Sequence, residues 1–439
     1  MRMNTPVKAP KQFTHEGGVA RRQTSSCELE RAVCACLLWE DSFYESGESI
    51  ADRIKALAAI EPTASLAALA IRARNELNLR HAPLLLLAEL ANRPGPTFRK
   101  TVYEVINRPD ELGEFVAIYG RKMPSRVKRG LADCFYKFNE YQFAKYKGEG
   151  NKFSLRDVMF LVHPKPTCVF RGDKWVNQSE TFTKIANKTL PSPDTWEVAL
   201  SSGADKAETF TRLLTEKKLG YLALLRNLRN METAGVDYDL VADAIRDGNK
   251  DKIFPFRFVA AWRAAPAYER PLDAALRDVV AKLPAFKGRT AILVDISGSM
   301  SDHLSQKSDM LRIDAASALA VCYPGDCEVY SFSNNLVQVK GASGLGGISQ
   351  IIGSQAHGGT NLAGALAALP RVYDRIIVIT DEQTYGRVLM PTCKHSYIIN
   401  VASYQPSIVY GSTVSITGFS ENVFRFMAEH ENGSDSSTR

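Results

Sequence analysis

Residues 289–301 read RTAILVDISGSMS. The apolar run from Ala291 to Val294 leads straight into Asp295, Ser297 and Ser299. A buried strand that releases a carboxylate and two hydroxyls at its exit puts hard oxygen ligands at a sheet edge. Two later segments bring the same chemistry. RIIVITDEQ carries Asp381 at the end of another apolar run, and HGGTNLAGAL carries Thr360 on a Gly-Gly loop that opens a helix. Two carboxylates brought together repel unless a cation or a proton lies between them. The set Asp295, Ser297, Ser299, Thr360 and Asp381 is all oxygen with few carboxylates. That composition suits Mg²⁺, with Mn²⁺ as the alternative, and waters completing an octahedron. Taken one at a time, each segment has a simpler reading as a helix N-cap, for which Asp, Ser and Thr are favoured. Three such segments in order on one strand–helix pattern favour the metal site.

The elements that must position these residues follow from periodicity. From about residue 286, short apolar strands alternate with helices: strands over 290–296, 327–333, 335–340, 375–381 and 396–402, and helices around 308–323, 361–369 and 421–430. That alternation predicts a mostly parallel, doubly wound sheet with helices on both faces. Such sheets bind ligands outside the carboxyl ends of their strands, where Asp295 and Asp381 fall. Before residue 286 the pattern is helical almost throughout. Apolar residues recur at three and four spacings over 65–78, 82–93, 97–108, 109–120, 205–218, 237–248 and 271–284. Pro109 and Pro271 stand at first-turn positions, and Gly120 and Gly248 at stops. Short amphipathic helices joined by short turns read as a helical solenoid. No strict repeat period occurs, so an irregular HEAT-like stack is expected rather than a regular array. The resulting division is a loose arm over 1–15, a helical domain over 16–285, an α/β domain over 286–432 and a disordered tail over 433–439.

Composition narrows the function. The hydrophobic fraction is 45% and the charged fraction 23%, so the chain is globular. The net charge of +7 is unevenly spread. From Gly288 onward there are 10 Lys+Arg against 13 Asp+Glu, a net of −3; the remaining 45 basic and 35 acidic residues give the rest of the chain +10. A basic helical domain beside a slightly acidic one points to a polyanion partner for the former, although a solvated surface reads the same way. The 8 cysteines contain no CxxC pair, so neither a disulfide framework nor a familiar zinc spacing is present. Reduced cysteines, an opening MRMNTPVKAPKQ with no apolar core, and no apolar run near 18 residues predict a cytoplasmic protein with no membrane segment.

Several helical stretches are more particular: VINRPDELGEFVAIYG (105–120), LADCFYKF (131–138), FSLRDVMFLVHPK (153–165), LGYLALLRNLRNM (219–231) and FPFRFVAAWRA (254–264). With a D-x-S-x-S domain after them, they resemble the Ro autoantigen family, the TROVE-module RNA-binding proteins. The resemblance runs from about Gly17 to the C-terminus, and LLRNLRNM and PFRF are its sharpest elements. The oxygen set likewise resembles the metal-ion-dependent adhesion site of von Willebrand factor A domains, whose signature is D-x-S-x-S, a later Thr and a later Asp. Such domains bind partners by letting a partner's carboxylate complete the metal shell. The Ro resemblance implies a monomeric ring of HEAT-like repeats closed by the von Willebrand A domain. It further implies a small Y RNA-like partner on the outer surface, and single-stranded 3′ ends of misfolded or unprocessed non-coding RNAs in the basic hole. A 3′-to-5′ exoribonuclease tethered through the RNA is a further implied partner, and no catalysis by the protein itself is implied.

Segment 121–152 is the most basic and aromatic stretch. Lys122, Arg126, Lys128 and Arg129 are candidates for phosphate contact, which carries no sequence information and makes affinity salt-dependent. Tyr136, Tyr141 and Tyr146 are candidates for base stacking. Core packing of the aromatics and a solvated basic face are the plainer alternatives. The resemblance adds His163, which matches a family histidine contacting Y RNA, and Lys145, which matches a lysine on the same surface. The family's following arginine is missing: the chain reads GEGN over 148–151, with Glu149 near that place and Lys152 as a substitute. Arg226 and Arg229 in LLRNLRNM match the family, facing the hole or bracing helices.

Three function classes compete. An RNA-binding ring acting in non-coding RNA quality control or processing accounts for the resemblance and the basic excess. A metal-dependent protein-interaction scaffold without an RNA role would sit better with a neutral or acidic helical part. A metal-dependent nuclease through Asp295 and Asp381 lacks a candidate base and the usual carboxylate cluster. His357, before Gly358, is better explained by its glycine-flanked loop. The expectation is therefore not an enzyme.

Overall fold

The computed structural model describes residues 12–13, 19–20, 29–30, 32–33, 47–148, 150–171, 174–304, 310–370, 372–381, 388, 393–402, 413–417 and 422–436. Two compact units emerge: Ala51–Leu219, and Gly220–Arg439 grouped with Met1–Ile50.

The first unit is helical. Its elements include Thr63–Asn75, His81–Asn92, Thr97–Val105, Asp110–Tyr119, Ser125–Cys134, Glu140–Lys145, Leu155–Val162, Ser179–Asn187 and Lys206–Thr215. Each packs on near neighbours: Thr63–Asn75 on His81–Asn92, Thr97–Val105 on Ser125–Cys134, and Asp110–Tyr119 on Leu155–Val162. That is the stacking expected of an irregular solenoid. Leu66, Ala70, Leu85, Leu86, Phe98, Val102, Phe115 and Leu131 fill the seams. The helix starts are built locally. Asn139 with Gln142 and Ser154 with Asp157 form reciprocal capping boxes, and Asp205 caps the Glu208 N–H. Gly113 lets two helices close up, because a Cβ there would lie 2.2 Å from the Phe153 carbonyl oxygen. A hairpin, Cys168–Arg171 against Lys174–Asn177, interrupts the helices and was not expected.

Within this unit Glu111 is almost fully buried. It accepts from the Arg74 guanidinium at 2.5 Å and from the backbone N–H groups of Asn107 and Arg108 at 2.8 and 3.1 Å. Burial pushes its carboxyl upward, and Arg74 opposes that.

The second unit joins four helices, Tyr221–Ala234, Tyr238–Asp247, Pro255–Ala264 and Glu269–Val280, to a six-stranded sheet. Its strands are β1 (Phe286–Asp295), β2 (Gly325–Phe332), β3 (Leu336–Gln338), β4 (Arg375–Thr380), β5 (His395–Asn400) and β6 (Val414–Thr417). The spatial order is β6-β5-β4-β1-β2-β3, parallel except for β3, which runs antiparallel to β2 at the edge. The chain thus adds β2 on one side of β1 and β4 on the other, so β1 and β4 flank the topological switch point. The fold class read from the sequence, helical repeats with a doubly wound α/β domain, is the one observed.

Some boundaries differ. The composition changes at 286, but packing does not break there: Pro255–Ala264 packs on the Arg312–Val321 helix, and Glu269–Val280 on Gly344–Ile352. The Asp273 carboxylate accepts from the Leu345 N–H at 2.7 Å across that contact. The closing helix, Asn422–Ser436, runs through the first four residues of the expected loose tail. Apart from Gln12–Phe13, the expected N-terminal arm lies outside the described residues.

Removing one member of a buried ion pair strands the other charge. Glu111→Ala is expected to cost about 3–5 kcal/mol, read as a lowered urea midpoint; an unchanged midpoint would show that water reaches Arg74.

Candidate metal centre and nucleic-acid surface

β1 ends at Asp295, and a short 3-10 turn over Gly298–Ser301 follows. Asp295 is fully buried. One of its oxygens accepts from the Ser297 N–H at 2.9 Å, and the other from the Thr380 hydroxyl at 2.6 Å. The hydroxyls of Ser297 and Ser299 stand 3.3 Å apart. Asp381 follows β4 directly and is also fully buried. The Asp295 carboxyl is pushed up to about 7, first by burial and then by the Asp381 carboxylate beside it; hydrogen bonds from Thr380 and Ser297 oppose the shift.

Thr360, buried, comes from the His357–Thr360 loop ahead of the Leu362–Ala368 helix. That loop is tied to its surroundings on two sides. The Gly298 N–H donates to the Gly358 carbonyl at 3.0 Å, and the Ser333 hydroxyl past β2 accepts from the Gly358 N–H at 2.8 Å. A side chain at position 358 would have its Cβ 2.4 Å from the Asn334 amide nitrogen, so it would displace the Asn334 side chain that accepts from the Gly359 N–H at 3.1 Å. His357 is exposed, with Nε2 3.0 Å from the Ile352 carbonyl.

The five sequence-predicted ligands thus come from segments joined around the carboxyl edge of β1 and β4. Two residues there were not anticipated. Thr380 orients Asp295. Arg312, the first residue of its helix and buried, places Nη1 3.2 Å from the Asp381 carboxylate and 3.3 Å from the Ser299 carbonyl. Among the described residues no group of three His, Cys, Asp or Glu side chains could hold a metal. A cation here would therefore depend on hydroxyls, and a donor set of two buried carboxylates and three hydroxyls fits a hard, oxygen-seeking divalent ion.

The predicted RNA-contact residues fall on both units. Lys122 and Arg129 are exposed and Lys128 half-buried, on or just before the Ser125–Cys134 helix. Arg126 folds back instead, and donates to the Ala91 carbonyl at 2.9 Å. Tyr141 is exposed. Tyr146 lies under the Arg108 guanidinium at 4.3 Å, and the Tyr136 hydroxyl donates to the Lys165 carbonyl at 3.0 Å. His163 is exposed and ends the Leu155–Val162 helix in a left-handed conformation, φ 50°. Lys145 and Lys152 are exposed, while Glu149 lies outside the described residues. Lys147, Arg156 and Lys188, which sequence reasoning passed over, line one cavity near Asn151 and Ser154. In the second unit, Arg226 and Arg229 are exposed on the Tyr221–Ala234 helix, and Asn227 between them is buried.

The architecture defines a class: a helical-repeat module and a doubly wound α/β domain with an oxygen-lined site at its switch point. The TROVE domain family matches residues 187–278, a stretch that contains both LLRNLRNM and PFRF. Telomerase protein component 1 of Mus musculus is 22% identical over 325 residues, which is 54% of this chain and 12% of that protein. Its Rattus norvegicus counterpart is 22% identical over 342 residues, 58% of this chain and 13% of that protein. The chain therefore matches about an eighth of the length of these curated relatives. The crystal structure of the Deinococcus radiodurans RO (RSR) protein matches with a TM-score of 0.62 at 17% identity, covering 93% of this chain and 100% of that one. The TROVE match over residues 187–278 and the likeness in fold agree with the Ro resemblance of the sequence.

A ligand that binds only the folded state stabilises it, by about 2.7 kcal/mol at a hundredfold excess over Kd. Mg²⁺ is expected to raise the melting temperature of the wild type and to leave Asp295→Ala unmoved. An equal rise in both would place any Mg²⁺ elsewhere.

Proposed function

We propose that this chain is a non-enzymatic RNA-binding protein of cytoplasmic ribonucleoproteins. The single observation that carries the reading is the TROVE match over 187–278 in a chain whose residues before Gly288 hold a net charge of +10. Charge of that sign supplies sequence-independent affinity for a polyanion. Lys122, Lys128 and Arg129 then serve as phosphate contacts, with the exposed Tyr141 as a stacking platform. Arg126 is a brace in this reading, since its guanidinium is engaged by the Ala91 carbonyl.

In finer detail, the Ro resemblance supports a Y RNA-like small RNA on the surface of Lys145, Lys152 and His163. Single-stranded 3′ ends of misfolded or unprocessed RNAs would enter a ring hole near Arg226 and Arg229. The role is RNA quality control or processing, with a 3′-to-5′ exoribonuclease recruited through the RNA. A second reading, protein recruitment by the von Willebrand A-like domain, is favoured by the oxygen set at Asp295 and Asp381. A Mg²⁺ or Mn²⁺ ion bound there would supply a coordination position for a partner's carboxylate. The two readings are compatible on one chain.

Each phosphate contact to a single strand contributes about 0.7 to the slope of log affinity against log salt. The double variant Lys128→Ala/Arg129→Ala is expected to weaken binding of a single-stranded RNA oligonucleotide and flatten that slope by about 1.4. An unchanged slope would remove both residues from the interface. Arg126→Ala is expected to lower the melting temperature instead and leave the slope in place.

A further inference from the structure

The oxygen set shares its floor with a cation that its sequence motif does not contain. Arg312 is 1% exposed, and Nη1 lies 3.2 Å from the Asp381 carboxylate, 3.4 Å from the Asp302 carboxylate and 3.3 Å from the Ser299 carbonyl. Asp381 and Ser299 are two of the five candidate ligands. Asp302 is different, with a side chain 51% exposed at the end of the Gly298–Ser301 turn. The guanidinium therefore bridges a buried carboxylate of the site and a solvent-facing one outside it. It is also held from behind. Its helix neighbour Asp314 caps the Leu311 N–H at 3.2 Å and pairs with Arg263 of the Pro255–Ala264 helix at 2.5 Å, which fixes the start of the Arg312–Val321 helix.

We propose that Arg312 is a resident counter-cation that sets the metal affinity of this centre. It neutralises Asp381 in the metal-free protein and yields that carboxylate to a divalent ion, keeping Asp302 as its own partner. The inference rests on the metal reading of the Asp295 site. Its consequence is a site poised for weak, displaceable divalent binding, since each ion that enters meets a fixed positive charge on one of its two carboxylates. A neighbouring charge at this range shifts a proton equilibrium by about one to three units. Removing it is therefore expected to strengthen divalent binding by about tenfold or more.

The test is a calorimetric titration of Mn²⁺ into the full chain as wild type, Arg312→Gln, Arg312→Lys and Asp295→Asn. Arg312→Gln is expected to bind Mn²⁺ about tenfold or more tightly than wild type. Arg312→Lys should stay near wild type, because it keeps the charge, and Asp295→Asn should lose the site. Equal or weaker binding by Arg312→Gln overturns the role of Arg312 and leaves the metal site standing. No Asp295-dependent binding in any variant overturns the metal reading and this inference with it. Should Arg312→Gln fail to fold, the wild type still decides. The Nε–H resonance of Arg312, assigned by its loss in Arg312→Lys, is expected to shift saturably with Mg²⁺, and a resonance that stays in place contradicts the displacement.

Discussion

Two carboxylates buried at adjacent strand ends dominate the second unit. Asp295 closes β1 and Asp381 follows β4, both without solvent contact. Buried like charges are tolerated only if something neutralises them. The surroundings answer this demand in layers. Thr380 and the Ser297 N–H bond Asp295, the Arg312 guanidinium meets Asp381, and the Gly358 loop brings Thr360 to the same edge. The switch point between β1 and β4 makes the arrangement possible, because the reversal of strand order opens a crevice outside the carboxyl ends of the two strands. A largely parallel sheet of this order, two carboxylates at its open edge and a guanidinium against one of them form one physical unit.

The helical unit meets a different constraint. Its short helices, from the six residues of Glu140–Lys145 to the thirteen of Thr63–Asn75, are marginal alone, so their stability comes from capping and from burying one face on a neighbour. Asn139, Ser154 and Asp205 cap their helix starts, and Phe98, Phe115 and Phe135 fill the seams. Arg74 with Glu111, and Arg80 with Asp110 and Glu114, tie neighbouring helices by charge. What remains outside these pairs is a surplus of basic side chains on exposed faces, which is what a sequence-tolerant polyanion surface requires.

Much of this was legible in the sequence, and the exceptions have physical reasons. The D-x-S-x-S exit, the Gly-Gly-Thr loop and the Ile-Thr-Asp end are local patterns, so the five oxygen-bearing residues could be picked out by type and position as candidates. Thr380 was not, because its bond to Asp295 depends on the pairing of β1 with β4. Arg312 was not, because arginine is rarely buried and its partner lies 69 residues away. Arg126 read as a phosphate contact, but a tertiary contact turns it onto Ala91. The Gly344–Ile352 helix was missed because three glycines in nine residues argue against helix; burial of Leu345, Ile348 and Ile351 overrides that propensity. The change of composition at 286 reflects the start of strands and not a packing boundary, since the preceding helices pack on the α/β layer.

The central claim is that this protein carries RNA. The most direct measurement is crosslinking and sequencing of the RNA that co-purifies with it from its native cells. A narrow set of small structured RNAs with single-stranded 3′ tails, or one dominant Y RNA-like species, is the predicted result. Recovery no greater than that of a non-binding control would contradict it and turn attention to protein partners at the Asp295 face.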